Sequence, residues 1–402
     1  MLKKYSVIFI LIGMMLIAKN VYAFDYKGIS TSVDITKEPI LNARAAIVID
    51  RNTGLVLYEK NSNDVRKMAS TTKIMTAIVV LENMNDLYET VTVSKKAASV
   101  RGSELGVKIG DTITINDLLY GLMLPSGNDA AIALAEHIGG TVEGFAILMN
   151  DKAKQLGLTK TNFVTPHGLD AKGHETTAYE LAILTKYALE NEKFREIVAV
   201  KYATVTISGR SKNIKNTNEL LGNYSGMYGV KTGYTGEANR CIVSACKREN
   251  IDVIAVVLGA DTKTLRGIDT KKMLEYVYNN FKTIDIESEI KSCFEDWEND
   301  TFITIKKGKS KYLELKLGKI KYSQLNVNKN ILNNRNISII VKDNFLAPIY
   351  IDEKIGEMII EVNGKEFFRV DILAKEAIKE KDVLDYIKDI VKVFKIKLLQ
   401  DV

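Results

Sequence analysis

The spacing of apolar residues changes near residue 283, and that change divides the chain. Before it, helical and strand patterns are mixed. Residues 45–58 alternate and turn at Asn52-Thr53-Gly54, a β-hairpin pattern. A helical pattern starts at Ser70, with Ile74, Ala77, Ile78 and Leu81 on one face. Residues 116–138 read as two helices broken at Pro125-Ser126-Gly127, and 145–156 and 178–189 as two more. Strands over 240–247 and 252–258 are joined by a hairpin-sized connection, and an amphipathic helix over 270–281 closes the region. After the change, residues 302–373 show short alternating strands, with Asn363-Gly364 as a hairpin turn between 358–362 and 367–372. This is a small all-β domain over 283–374, with no titratable cluster that suggests chemistry. Two or more cores suit a chain of 402 residues.

Both ends carry separate signals. Lys3 and Lys4 precede an apolar run over 5–18, too short for a comfortable membrane span, and Val21-Tyr22-Ala23 offers a small-x-small cleavage site. Residues 1–23 therefore read as a secretory signal peptide, and the mature region, from residue 24, as exported. At the other end, 375–402 returns to a helical period. Val383, Leu384, Ile387, Ile390, Val391, Phe394 and Leu398 share a face flanked by Lys388, Lys392, Lys395 and Lys397. Such a helix can lie in a membrane interface, lysines toward anionic headgroups. The alternative is docking on its own β domain or on a partner. Beyond the first 23 residues the chain carries 53 basic and 50 acidic residues, too even a balance to argue for nucleic acid. Cys241, Cys246 and Cys293 do not make a disulfide framework; the first two fall on opposite faces of one strand and read as buried hydrophobes.

Three motifs follow one another: Ser70-Thr71-Thr72-Lys73, Ser126-Gly127-Asn128 and Lys231-Thr232-Gly233. Residues three apart on a helix share a face, with Cβ atoms about 5–6 Å apart, so Lys73 can reach the Ser70 hydroxyl. Serine becomes a useful nucleophile when a neighbour takes its proton. Lysine does so when desolvation or nearby positive charge lowers its pKa, and Lys231 can supply that charge. The Ser70 N–H, at a helix start, points toward a developing oxyanion. Each motif alone is weak: Ser70 could be an ordinary N-cap, and polar loop triplets are common. Their order and placement at helix start, interhelical loop and strand are far more specific. His167 and His174 sit seven apart on a loop without a metal-binding motif, so no metal or other cofactor is implied.

With these motifs and their flanks, the sequence resembles the low-molecular-mass penicillin-binding proteins, the serine D-alanyl-D-alanine carboxypeptidases. The matching stretches are Ala69-Ser70-Thr71-Thr72-Lys73-Ile74-Met75-Thr76-Ala77, Leu124-Pro125-Ser126-Gly127-Asn128-Asp129, Thr165-Pro166-His167-Gly168-Leu169-Asp170 and Gly229-Val230-Lys231-Thr232-Gly233-Tyr234-Thr235. The resemblance is strong over residues 35–282 and looser beyond. It implies an α/β fold of the penicillin-binding/β-lactamase-like transpeptidase type, an antiparallel sheet flanked by helices with a helical insert. The small all-β domain and the C-terminal amphipathic helix follow, the helix being a membrane anchor in this family. It further implies Ser70 as acylated nucleophile, Lys73 as base, Ser126 as proton relay, and Asn128, Lys231, Thr232, Gly233 and Tyr234 as substrate-binding residues. The N–H groups of Ser70 and Tyr234 would form the oxyanion hole. The loop carrying His167 would be structural. The implied substrate is a peptidoglycan stem peptide, with β-lactams as covalent inhibitors and the outer face of the cytoplasmic membrane as the site of attachment.

The sequence departs from the family in two places. Ala238-Asn239-Arg240 replaces the usual Ala-Gly-x, and residues 216–221 offer no arginine for the substrate carboxylate, which some members place there. A serine β-lactamase shares the motifs, but no Glu-x-x-Leu-Asn segment lies between the second and third. A DD-endopeptidase or transpeptidase is barely separable by sequence. A non-enzymatic wall-binding protein would not need all six polar motif residues intact.

Overall fold

The computed structural model describes residues 38–329, 335–342, 344–362 and 364–400, with side chains up to 392. The signal-peptide segment and Asn363 lie outside the described residues, as do the side chains of Phe394, Lys395, Lys397 and Leu398. The chain divides into two compact units after Thr283, with residues 326–329 returning to the first.

The first unit is built on a five-stranded antiparallel sheet. Its strands are β1 (Ala45–Asp50), β2 (Val56–Lys60), β3 (Met227–Thr235), β4 (Asn239–Arg248) and β5 (Ile251–Ala260), in spatial order β2-β1-β5-β4-β3. Every residue of β5 is buried, because helices cover both faces of the sheet; its near-continuous apolar run follows from that double cover. On one face Ala46, Val48, Ile242, Cys246 and Val257 pack with Met273, Leu274 and Val277, which lie on the closing helix Lys263–Asn280. On the other, Ile47, Ile49, Cys241, Val243 and Val256 pack with the helical insert. Cys241 and Cys246 thus face opposite ways, and both are free thiols.

The insert is centred on α1 (Lys73–Asn83), whose residues from Lys73 to Val80 are all buried. A helix apolar on all sides belongs in a core. Around it lie α2 (Ile115–Met123), α3 (Asn128–Gly139), α4 (Val142–Gln155), α5 (Ala178–Ala188) and α6 (Glu192–Ala199). The expected break at 125–127 separates α2 from α3. The expected start at Ser70 is modified: Ala69–Thr72 form a 3₁₀ turn, and the α-helix proper begins at Lys73.

The second unit opens with a helix not anticipated in an all-β segment, Ile286–Asp300, which buries Ile286, Ile290, Cys293, Phe294 and Trp297. From Thr304 onward it is β structure. A four-stranded sheet runs Leu315–Leu317, Lys365–Ala374, Lys354–Val362 and Arg335–Val341 in spatial order, all pairs antiparallel. The terminal helix corrects the expected boundary: it spans Val383–Gln400 and does not start at residue 375. Residues 375–382 are held extended by backbone bonds, with Ile378 bridging Ile349 and Glu380 bridging Gly308, and that pairing is incompatible with a helix.

Candidate active site

The three motifs converge because three elements meet at the N-terminus of α1. The turn 69–72 is held on both sides by glycines. A Cβ on Gly168, whose φ is +86°, would lie 2.0 Å from the Ala69 carbonyl oxygen. A Cβ on Gly233 would lie 3.0 Å from the Ser70 backbone nitrogen, so β3 runs directly beside that N–H. The turn is also tied internally, by Thr71 Oγ1 donating to the Met68 carbonyl at 2.6 Å and Thr72 Oγ1 to the Ala69 carbonyl at 2.7 Å.

Lys73 is fully buried and its Nζ has three neighbours. It lies 3.0 Å from Ser70 Oγ, 2.7 Å from Asn128 Oδ1 and 2.8 Å from the His167 carbonyl oxygen. Burial pushes its pKa well below the ordinary lysine value; Lys231 lowers it further, against a smaller opposing pull from Asp129. A neutral amine has two N–H groups and one lone pair. Asn128 Oδ1 and the His167 carbonyl can only accept, so in the neutral form of Lys73 they take both N–H groups and leave the lone pair to Ser70. The arrangement sets up a base for the serine proton.

Asn128 is fixed in turn by its Nδ2, which donates to the Arg101 carbonyl at 2.8 Å. The adjacent Asp129 carboxylate accepts the backbone N–H groups of Leu105 and Gly106, each at 2.7 Å, and so folds the segment after Arg101 over the site. Ser126 has a φ of +68°, a costly conformation for a residue with a side chain. Its Oγ is buried and has no hydrogen-bond partner among the described residues. The expected relay contact with Lys73 or Ser70 is therefore absent in the free protein.

On β3, Lys231 is buried and its pKa is lowered to about 7, first by desolvation and then by Arg266. Thr232 Oγ1 lies 2.8 Å from Thr217 Oγ1. Arg266 is taken up by Glu219, which receives its Nη2 at 2.6 and 2.7 Å. Tyr234 is 54% exposed, with the Arg240 guanidinium 3.5 Å from the centre of its ring.

The loop with two histidines is scaffolding. Val164 N–H donates to His174 Nδ1 at 3.0 Å, which leaves Nε2–H to face Thr72 Oγ1 at 2.8 Å. Leu169 N–H donates to His167 Nδ1 at 3.1 Å. Burial, with nearby lysines, pushes both pKa values down, to about 3 for His167 and about 4 for His174, so both rings are neutral at pH 7. Asp170 accepts Thr235 Oγ1 at 2.6 Å and anchors the end of β3.

The geometry therefore joins Ser70, Lys73, Asn128 and Gly233 directly and places Lys231 close enough to act on Lys73 by charge. Sequence reasoning missed Thr217, Asp129 and Arg266. Thr217 falls within residues 216–221, where an arginine was sought; Arg266 comes from a distant helix and leaves no local signal.

Comparison with known proteins agrees. Residues 32–262 match the family model of D-alanyl-D-alanine carboxypeptidase, peptidase S11, and residues 297–380 match the penicillin-binding protein 5 C-terminal domain. The chain is 34% identical to D-alanyl-D-alanine carboxypeptidase DacF of Bacillus subtilis, covering 94% of this chain and 96% of that one. It is 32% identical to DacC of Escherichia coli, covering 91% and 92%. Among solved structures, penicillin-binding protein 5 of Haemophilus influenzae superposes with a TM-score of 0.71 at 26% identity, covering 88% of this chain and 100% of that one. The chain belongs to the D-alanyl-D-alanine carboxypeptidase family.

Proposed function

We propose that the protein removes the terminal D-alanine from peptidoglycan stem peptides through an acyl-enzyme on Ser70. The carrying observation is the buried Lys73 Nζ, 3.0 Å from Ser70 Oγ and held by Asn128 Oδ1 and the His167 carbonyl. The substrate lies along the outer edge of β3, the end strand of its sheet, as an added strand. Ser70 Oγ attacks the carbonyl carbon between the last two D-alanines as its proton passes to Lys73 Nζ. The negative oxygen faces the N–H groups of Ser70 and Tyr234. Lys73 returns the proton, through the Ser126 hydroxyl, to the departing amine, and D-alanine leaves. Water then attacks the ester, Lys73 takes its proton and passes it to Ser70 Oγ, and the shortened peptide leaves as its carboxylate. Ser126 Oγ is buried with no hydrogen-bond partner among the described residues, which suits a group that finds one on the substrate. Lys231 and Thr232 hold the terminal carboxylate. β-Lactams acylate the same serine.

The test is mass spectrometry of the protein with penicillin, alongside a D-alanine release assay. An adduct on Ser70 and loss of release in Ser70→Ala support the reading. An adduct elsewhere, or continued release by that variant, overturns it.

The same reading places the protein outside the cytoplasm, on the outer face of the cytoplasmic membrane. Among the described residues no single helix is long and apolar enough to cross a membrane. The terminal helix would instead lie in the interface. Val383, Leu384, Ile387, Ile390 and Val391 are all at least half exposed, which supports this. Truncation after Asp382 should then release an active enzyme from membranes; unchanged sedimentation would remove the anchor.

A further inference from the structure

The asparagine of the second motif is held from one side by a single stretch of chain. Asn128 Nδ2 donates to the Arg101 carbonyl at 2.8 Å, and the Asn128 backbone N–H to the Ser103 carbonyl at 2.8 Å. Between them Gly102 has a φ of +102°, and a Cβ there would lie 2.8 Å from Asn128 Nδ2, so only glycine lets the chain pass this close. A carbonyl can only accept. The Arg101 carbonyl therefore draws the NH₂ end of the amide and turns Oδ1 toward Lys73 Nζ. A flipped amide would set donor against donor. Residues 101–103 thus decide which end of Asn128 the base meets.

That stretch is fixed from outside. The Leu105 N–H donates to Asp129 Oδ1 at 2.7 Å, and the Leu105 carbonyl accepts Lys212 Nζ at 2.5 Å. One residue is thus gripped at both backbone groups. Asp129 Oδ2 also takes the N–H groups of Gly106 and Val107, at 2.7 and 3.2 Å. The two grips come from different elements. Asp129 is the second residue of α3 and is 3% exposed. Lys212 lies on a hairpin of two strands, Tyr202–Ile207 and Arg210–Lys215. Val205, opposite Lys212, and Ile214, two residues on, share its face and are buried in the core that holds α1. The lysine therefore reaches Leu105 from a fixed base. Both grips are charge-assisted, the stronger kind of hydrogen bond.

We infer that Asp129 and Lys212 are a positioning pair for acylation, clamping Leu105 so that residues 101–103 present Asn128 Oδ1 to Lys73. Neither side chain touches the reacting atoms. The hairpin, which carries none of the three motifs, becomes part of what orients the base. This rests on the reading of Ser70 as nucleophile and Lys73 as its base.

The experiment follows the rate of penicillin acylation across pH for wild type, Lys212→Met, Lys212→Arg, Asp129→Asn and the double variant Asp129→Asn/Lys212→Met. Lys215→Met, an exposed lysine of the same hairpin, controls for charge. Lys212→Met should slow acylation roughly tenfold, Lys212→Arg should recover most of that, and Lys215→Met should match wild type. Asp129→Asn should slow it about 100-fold, because an amide turns N–H groups toward the backbone donors that the carboxylate accepts. The double variant should be little slower than Asp129→Asn, since both changes release Leu105. The acid limb of the profile separates positioning from folding. The charged groups acting on Lys73 are Lys231 from β3 and Asp129 from α3, the His167 ring being neutral at pH 7. Asp129 opposes the fall of the Lys73 pKa, so Asp129→Asn should move the limb to lower pH, and Lys212→Met should leave it in place. A wild-type rate in Lys212→Met, an equal loss in Lys215→Met, losses that multiply in the double variant, or an unmoved limb in Asp129→Asn would each overturn the inference. If Asp129→Asn does not fold, the three lysine variants decide. Penicillin labelling of wild type separates the two readings. If Ser70 is not acylated, the site itself is misread; if it is, an unaffected Lys212→Met counts against the clamp alone.

Discussion

Two helices carry similar apolar spacing and meet opposite surroundings. In α1, Ile74 and Ile78 are at most 1% exposed, packed on every side by the insert and sheet. In the terminal helix, Ile387 and Ile390 stand at 51% and 56%. Periodicity specifies a helix with an apolar face in both; it does not say what covers that face. At α1 the cover is the protein itself, and it also desolvates a lysine. At the C-terminus the described residues leave that face exposed.

The largest expected effect tests the buried helix. Lys73→Ala should slow penicillin acylation by about 10⁴-fold, the upper range for a lost general base, with the thermal midpoint kept, since the variant no longer buries an amine. Retention of acylation would mean that the buried helix carries no chemistry. Next, Gly168→Ala forces a Cβ toward the Ala69 carbonyl at a φ of +86°. Acylation should fall about 100-fold, as expected when reacting groups shift by an ångström, with a lowered thermal midpoint.

The third test uses pH. Lys231 lowers the Lys73 pKa, so Lys231→Met should raise it and move the acid limb of the acylation profile to higher pH. Stability changes too. With a folded pKa of about 7 against an ordinary 10.5, Lys231 binds a proton more readily in the unfolded chain. Its penalty, on the order of 5 kcal/mol, is full below pH 7 and vanishes as pH rises toward the unfolded value. Lys231→Met should therefore stabilise most at neutral pH and hardly at pH 10.

The smallest effect returns to the comparison. Ile78→Ala should cost about 2–5 kcal/mol in chemical denaturation, and Ile387→Ala less than about 0.5 kcal/mol. Equal costs would mean that the terminal helix is packed after all. Ile387→Ala should nonetheless weaken binding to anionic vesicles.

What was legible in the sequence was local. The hairpin at 52–54, the break before Asn128 and the three motifs are each set by neighbours within a few residues. The second-unit helix is also legible, since Ile286, Ile290, Cys293, Phe294 and Trp297 follow helical spacing, but the all-β reading of 283–374, based on alternation over 302–373, passes over it. Arg266 acting on Lys231, and Asp129 holding the backbone at 105 and 106, arise only when distant segments are packed together. The true start of the terminal helix was hidden for the same reason: residues 375–382 have charges a helix would accept, but strand pairing takes them.

That extended segment has a mechanical consequence. Lys309 N–H donates to the Lys379 carbonyl and Lys381 N–H to the Lys307 carbonyl, and the Lys381 and Lys309 ammonium groups clasp Asp389 and Asp382. The terminal helix thus leaves the small domain from a riveted joint, with no slack leash between them. A surface that took up the helix would also fix the tilt and standoff of that domain, as a bracket does.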